Sequence, residues 1–135
     1  MIKKMRLSIL VIIIIMTTSA TINQTFAQDK NLVVRIAKLQ IDSAQLENYK
    51  AALKEHAETA VRVEPGVITL YAVYEKNHPT DVTVFEIYAD TKAYQSHLKT
   101  PHFLKYKTGT KDMIKSLELI ETVPIALETK PEIPK

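Results

Sequence analysis

Residues 64–103 decide the fold of this chain, and they read EPGVITLYAVYEKNHPTDVTVFEIYADTKAYQSHLKTPHF. Pro65-Gly66 ends a helical pattern, because proline cannot donate a helical hydrogen bond and glycine tolerates positive φ. Two runs rich in β-branched and aromatic residues follow, over 67–75 and 82–89, with a polar turn between them. This pattern predicts a β-hairpin that begins directly after a helix.

The part of the stretch after the hairpin is helical, with an interruption. Asp90 is a good N-cap for a helix to about Lys99. Thr100-Pro101 then breaks the helix, because proline suits the first turn of a new one. We predict a second helix from Pro101 to about Lys107, with Gly109 as a stop or kink.

Two further elements precede the stretch and one follows it. Residues 32–41 are rich in β-branched residues and predict a first strand. Asp42 and Gln45 have capping-box spacing before an amphipathic helix that runs to about Val63. Residues 117–127 alternate as a last strand. The order β-α-β-β-α-α-β predicts an α+β, ferredoxin-like fold, a four-stranded antiparallel sheet with helices on one face.

Both predicted hairpin strands are apolar on both faces, which is typical of a sheet covered on both sides. In the first strand of the hairpin, one face has Ile68, Leu70, Ala72 and Tyr74, and the other has Val67, Thr69, Tyr71 and Val73. The helices cover one face, and a chain of this length has nothing left for the other. With no cysteine for a disulfide, a second copy of the sheet is the simplest cover, so we expect a homodimer.

Residues 1–27 have the order of a secretory signal peptide. Lys3, Lys4 and Arg6 precede an apolar run of about ten residues, and small residues surround Ala27. The run is shorter than the ~20 residues of a membrane span, although an uncleaved anchor is the alternative. No cysteine follows for a lipid anchor. We expect a secreted or periplasmic protein with no stable membrane span after cleavage.

The remainder is predicted to be one domain over 28–128, followed by a frayed tail over 129–135 that contains two prolines. The whole chain has 18 Lys+Arg and 15 Asp+Glu, and three of the basic residues lie in the signal segment. The predicted mature chain is therefore formally neutral. This balance, with no basic patch among aromatics, argues against a nucleic-acid partner.

Three of the four histidines are candidate site residues. His56 lies at the edge of the apolar helical stripe, as a boundary residue or a cavity-facing acid or base. His97 and His102 are either site residues or structural ones, bridging helix to sheet and satisfying a helix N-terminus. Their spacing of five across a break does not match a two-ligand metal pair, so no metal is expected. His78 lies in the turn and is predicted to be solvated.

Glu86 and Tyr71 are the other candidates. Glu86 shares a strand face with Val82 and Val84, so its carboxylate must be paired, protonated or open to a cavity. An ion pair with Arg35 is the structural alternative. Tyr71, like Tyr88, is either a core aromatic or a donor to a ligand oxygen.

Glu64-Pro65-Gly66 and the spacing Glu86-x10-His97-x4-His102-Phe103 resemble the antibiotic biosynthesis monooxygenase (ABM) family. The resemblance implies a dimeric α/β barrel in which two sheets pair, in agreement with the two-faced strands. It also implies a monooxygenase that needs no cofactor and oxidises a quinol-like or polyphenolic molecule with dioxygen. In that interpretation His56 or His102 removes a phenolic proton, and Tyr71 or His97 holds the developing oxyanion.

Two other functions remain open. One is a haem-binding or haem-degrading relative of the same superfamily, which the absence of tryptophan disfavours. The other is a non-catalytic dimeric module that binds a small hydrophobic ligand. No glycine-rich phosphate loop, HExxH, cysteine pair or GxSxG is present to suggest nucleotide, zinc or serine chemistry.

Overall fold

A computed structural model describes residues 31–130 of the protein. The predicted signal segment 1–27 and the end of the predicted tail 129–135 lie outside these residues. In chain order the helices and strands are β1 (Val33–Ile41), α1 (Leu46–Val63), β2 (Val67–Tyr74), β3 (Asp81–Tyr88), α2 (Thr91–His97), α3 (Pro101–Thr110) and β4 (Ile114–Thr122).

The four strands form one antiparallel sheet in the order β2-β3-β1-β4. The first and third strands of the chain are therefore central, and β2 and β4 form the edges. The helices pack on one face. This is the ferredoxin-like α+β architecture that the element order predicted.

The core lies between the helices and one face of the sheet. Tyr49, Leu53 and Ala60 of α1 pack here against alternate residues of the strands. The strand residues are Ala37, Leu39, Ile41, Val67, Leu70, Val82, Val84 and Tyr88. The helices leave β4 uncovered, so Leu117 and Leu119 remain half exposed although they pair with the buried Leu39 and Ala37.

The start of the first helix differs from the predicted capping box. Asp42 accepts a hydrogen bond from the Ala44 backbone N–H and caps a short 3₁₀ turn, and α1 begins only at Leu46. The Asp42 N–H donates instead to the carbonyl of Met113. The Asp42 N–H is therefore not available to the side chain of Gln45, as a capping box requires. The Gln45 side chain instead accepts a hydrogen bond from the side chain of Asn48.

Gly66 is required by close packing, and the expectation of positive φ was wrong. None of the described glycines has positive φ. A Cβ built on Gly66 would lie 2.4 Å from the Cβ of Ala93 on α2. The absence of a side chain at Gly66 lets the first turn of α2 lie directly against the start of β2.

A β-bulge changes the faces predicted for β2. The pairing with β3 shifts between Val67 and Thr69. Val67 therefore faces the helices together with Leu70, although strict alternation had placed them on opposite faces. The remaining alternation beyond the bulge places Tyr71 opposite Phe85, on the face without helices.

The last strand also differs from its prediction of 117–127. Its pairing with β1 begins at Ile114 and ends at Thr122, five residues earlier than expected. Pro124 follows, and proline has no N–H to contribute to a ladder. The helix break at Thr100-Pro101 was predicted correctly, and α3 extends through Gly109 to Thr110.

The face of the sheet opposite the helices is largely apolar, and none of the helices within residues 31–130 packs on it. Val34 and Ile87 are buried there, whereas Tyr71 and Val73 are 64% and 62% exposed. No helix within residues 31–130 is long and apolar enough to span a membrane.

Candidate active site

The carboxylate of Glu64 joins the two histidines that follow the hairpin. Glu64 is the C-cap of α1, where the chain turns toward Pro65-Gly66. Its Oε1 lies 2.9 Å from Nδ1 of His97 and 2.5 Å from Nε2 of His102. A single carboxylate oxygen thus holds both imidazoles.

The break between α2 and α3 lets both rings reach this oxygen. His97 is the last residue of α2, and Pro101 begins α3. Between them Thr100 caps α3, since its Oγ1 accepts from the N–H of Phe103 and donates to the carbonyl of His97. The change of helix axis directs His102 back toward the ring of His97. On one straight helix, residues five apart would point in different directions.

His56 approaches the same cluster from α1. Its ring is 5% exposed and stacks on Tyr106 of α3, with ring centroids 4.8 Å apart and planes 9° from parallel. Burial, with His97 and His102 nearby, lowers the pKa of His56 to about 4. The ring is therefore neutral near pH 7.

Within residues 31–130, Nδ1 of His56 is the one buried side-chain nitrogen or oxygen without a hydrogen-bond partner. Buried polar atoms in folded proteins are almost always bonded, because an unmet bond costs about 1–3 kcal/mol. The nitrogen is not accessible to solvent, so a ligand would reach it only if the His56 ring turned.

His97 is 1% exposed, and its ring centroid lies about 5 Å from those of Tyr88 on β3 and Phe103 on α3. It therefore bridges helix to sheet, as the structural alternative predicted. Burial lowers the pKa of His97, although its hydrogen bond with Glu64 opposes the shift. Its place behind Glu64 suits it to hold that carboxylate in position.

A cavity of about 150 Å³ lies between α1 and α3. His56, His102 and Tyr106 line it, together with Ala52 and Gly109 and the exposed ion pair of Glu55 with Lys105. Two of the predicted site histidines therefore meet at one solvent-accessible space. His97 does not line it.

Glu86 forms a separate polar group on the helix-facing side of β3. Its Oε2 accepts a hydrogen bond of 3.1 Å from the Tyr88 hydroxyl. Burial raises the pKa of Glu86, and Tyr88 and Arg35 oppose that rise. Arg35 pairs with Glu86 in the strand register, yet its ion pair is with Glu121 at 3.7 Å. The predicted Arg35–Glu86 salt bridge is thus replaced by a tyrosine hydrogen bond.

Two residues lie away from the cluster. Tyr71 is on the opposite face of the sheet, so the structure does not bring this predicted site residue together with the histidines. The bulge in β2 and the register with Phe85 place it there. His78 is exposed in the β2–β3 turn, as predicted, with Glu75 at 3.4 Å.

The cluster can hold a proton or, by its donor set, a cation. The ligand atoms of Glu64, His97 and His102 lie within 4.8 Å of one another, and two imidazoles with one carboxylate are a common transition-metal set. The spacing argument, made against a two-ligand pair on one helix face, did not foresee this convergence, which the change of direction at Thr100 produces.

Sequence reasoning missed Glu64 and Tyr106 as site residues. One local signal marked Glu64. A carboxylate at a helix C-terminus faces the negative end of the helix dipole, so it needs a partner from elsewhere. Tyr106 is bonded to Tyr49 through hydroxyls 2.7 Å apart, and burial raises the pKa of both phenols. No short-range pattern indicates that pair, which is 57 residues apart.

The chain has clear relatives among known protein families and structures. The sequence model of a family described as antibiotic biosynthesis monooxygenase matches residues 32–109. A crystal structure of a candidate antibiotic biosynthesis monooxygenase from Bacteroides thetaiotaomicron is 51% identical, with a TM-score of 0.73. The alignment covers 77% of this chain and 99% of that one.

Two further structures support the fold. A candidate monooxygenase from Lactobacillus acidophilus is 33% identical with a TM-score of 0.67, over 73% of this chain and 46% of that chain. A candidate antibiotic biosynthesis monooxygenase from Nitrosomonas europaea, 21% identical, has a TM-score of 0.66 over 70% of this chain and 91% of that one, and shows the fold alone. A comparison with curated proteins found no significant match.

Proposed function

Because this chain belongs to the antibiotic biosynthesis monooxygenase family, we propose that it is a cofactor-independent monooxygenase of a small quinol-like or phenolic molecule. Its reaction would insert one atom of dioxygen into an electron-rich aromatic ring. The family membership supports monooxygenation, and the geometry of the α1–α3 cavity supports the phenolic substrate.

The observation that carries this proposal is a cavity lined by two imidazoles, those of His56 and His102, with the ring of Tyr106 stacked on His56. A neutral imidazole can form a hydrogen bond with a phenolic hydroxyl, either as acceptor or as donor. Because His56 stacks on Tyr106 and its pKa is lowered to about 4, it remains uncharged in an apolar wall. A hydroxylated ring suits the aromatic wall, and a turn of the His56 ring would bring its unpaired nitrogen to the hydroxyl.

The size of the cavity favours a small ring system. Ligand sites for drug-sized molecules occupy ~300 Å³ or more, whereas ~150 Å³ suffices for a single benzene ring. The cavity here is about 150 Å³. We therefore expect monocyclic hydroxy-arenes to be better substrates than fused polycyclic ones.

His102 is the better of the two candidate bases. It lines the cavity and contacts the carboxylate of Glu64, the arrangement in which a carboxylate orients a histidine base. His56 has its pKa lowered and gives up a proton too easily to serve as an efficient base. We assign proton removal to His102 and substrate hydrogen bonding to His56.

The chemistry then follows from the phenolate. Transfer of one electron from the phenolate to dioxygen gives a ring radical and superoxide, and their recombination forms a carbon–oxygen bond. Protonation of the peroxide and loss of water leave a quinone. The net change is one arene and one O₂ giving one quinone and one water, so no external reductant is consumed.

Oxygen-electrode assays of the chain from Gln28 with a panel of mono- and bicyclic quinols test the function, with autoxidation measured in the absence of protein. With ¹⁸O₂, one labelled atom is expected in the quinone and one in water. His102→Ala is expected to lower turnover by about 10²–10⁴-fold, and the exposed His78→Ala serves as the matched control. Uptake that depends on added flavin, iron or haem, or label only in hydrogen peroxide, would contradict the proposal.

We also propose that the protein is exported and that it forms a homodimer. The signal-peptide pattern of residues 1–27 supports export. Mass spectrometry of the protein purified from cells is expected to find Gln28 at its N-terminus, whereas an intact Met1 in the membrane fraction would favour the anchor. The uncovered apolar face of the sheet supports pairing with a second copy.

A further inference from the structure

His102 has two nitrogens, and its use as a base depends on which one carries the hydrogen. Nε2 lies 2.5 Å from Glu64 Oε1 and 3.2 Å from Thr100 Oγ1. A hydrogen must lie between the imidazole and the carboxylate at that distance. The contact with Glu64 alone is satisfied either by an N–H donor or by a protonated carboxyl group.

Thr100 resolves the ambiguity. Its hydroxyl has one hydrogen, and that hydrogen is used in the 2.8 Å bond to the backbone carbonyl of His97, an atom that can only accept. The Phe103 N–H donates to the same Oγ1. Toward His102 the Thr100 oxygen can therefore offer only a lone pair. A bare Nε2 at 3.2 Å would set two lone pairs against each other, so Nε2 carries the hydrogen.

We propose, resting on the proposed function, that Glu64 and Thr100 are positioning residues that fix His102 in its Nε2–H tautomer and leave Nδ1 as the proton acceptor. Within residues 31–130, Nδ1 of His102 forms no hydrogen bond and is not among the buried unbonded atoms. Its ring lines the α1–α3 cavity. The lone pair of Nδ1 is thus available to a phenolic hydrogen.

His97 completes the arrangement from behind. Its Nδ1 also contacts Glu64 Oε1, at 2.9 Å, so the carboxylate is held by a buried ring as well as by His102. Glu64 is thereby prevented from rotating into the cavity. His97 acts through Glu64 and does not touch the substrate, which replaces the oxyanion role that the monooxygenase interpretation of the sequence assigned to it.

The tautomer can be measured without turnover. Long-range ¹H–¹⁵N spectra of protein labelled at histidine nitrogens distinguish a protonated nitrogen from one with a lone pair. The His102 signals are assigned by their loss in His102→Gln. We expect Nε2–H in the wild-type chain at pH 7.5, and a loss of that single tautomer in Glu64→Gln and Thr100→Val. A wild-type His102 with its hydrogen on Nδ1 would overturn the proposal.

A kinetic arm separates positioning from structural support. Removing the carboxylate that orients a histidine base costs about 10⁴-fold in kcat in the serine-protease triad, so Glu64→Gln is expected to lower kcat strongly with KM nearly unchanged. Glu64→Asp restores a carboxylate and part of the rate if the variant folds. Glu58→Gln, an exposed change on the same helix, is the control. If Glu64→Gln and Glu64→Asp lost the same fraction of kcat and were lowered in melting temperature by the same amount, the role of Glu64 would be merely structural.

The three-residue cluster gives one more outcome. If the purified protein held a stoichiometric divalent metal that Glu64→Gln releases, Nε2 would be a ligand without a hydrogen, and the proposal would be wrong. If no quinol supports oxygen uptake, the proposed function fails, but the tautomer measurement stands on its own. The two failures are therefore distinguishable.

Discussion

At the scale of single residues, the main feature is a carboxylate that gathers histidines from two helices. The histidines could be selected from the sequence because imidazole is the side chain that titrates near neutrality. Glu64 had only the signal of a carboxylate at a helix C-terminus, and that signal does not identify its partners, which are 33 and 38 residues away. Tyr71 was selected for its hydroxyl, but only the register of the folded sheet determines which face it occupies.

The buried His56 predicts a pH dependence of stability. Its folded pKa of about 4 is below its ordinary 6.5, so the unfolded chain binds an extra proton between these values. The contribution of His56 to the free energy of unfolding is therefore expected to be fully present above pH 6.5. It is lost as the pH falls toward 4. The loss from this group between pH 7 and 5 is roughly 2 kcal/mol.

Urea unfolding of wild type and His56→Phe at pH 7 and 5 measures this effect. The variant retains the ring but cannot titrate, so its stability should fall less over the same interval. His97 contributes in the same direction and leaves a residual slope. A slope in His56→Phe identical to that of the wild type would show that His56 is not the titrating group.

At the scale of helices and strands, the order of the elements was predictable because each boundary has a local chemical signal. Asp90 caps α2 through the Ala93 N–H, and Pro101 begins α3. The bulge in β2 was not predictable, because nothing in alternating apolar residues shows where one of them is left unpaired. The early end of β4 likewise depends on the length of its partner β1.

The contact between Gly66 and Ala93 predicts a compensating pair of substitutions. Gly66→Ala would place its Cβ 2.4 Å from that of Ala93, so α2 must move and the cost is expected to be about 1–3 kcal/mol. Adding Ala93→Gly removes the clash, and the double variant should lose less than the sum of the two single ones.

Denaturant unfolding of the four proteins in this cycle gives the coupling. Gly109→Ala is the control for glycine replacement, since nothing lies within 4 Å of its added Cβ. Its place inside α3 predicts a gain of about 0.5–1 kcal/mol. If the losses of unfolding free energy from Gly66→Ala and Ala93→Gly were strictly additive, α2 would be able to move away from the start of β2 at no cost.

At the scale of the whole molecule, the sheet has one face packed by helices and one apolar face open. In the single chain this face leaves Val73 exposed and Phe85 half-buried. The same feature was readable in the sequence as strands that are apolar on both sides. The occupant of the open face remains a proposal, a second copy of the chain.

Dimerisation through this face predicts a selective effect of charge. Val73→Glu is harmless in a monomer, where the side chain is 62% exposed, but it buries an unpaired charge between two sheets at a cost of several kcal/mol. Analytical ultracentrifugation should give about twice the chain mass for wild type and a monomer for the variant. Val61→Glu, on the helical surface, should leave the dimer intact. A wild-type monomer at micromolar concentration would refute the model.

The position of β2 at the edge of the sheet has a consequence for how the protein fails. The strand reads VITLYAVY, eight residues without a charge, glycine or proline, and such segments associate into cross-β aggregates when exposed. An edge strand offers its unpaired backbone groups to any similar strand nearby. Heating is therefore expected to end in precipitation more often than in reversible unfolding. The apparent melting temperature should then change with scan rate and protein concentration. The resistance of this protein to heat is therefore expected to be set by the rate of unfolding rather than by an equilibrium free energy.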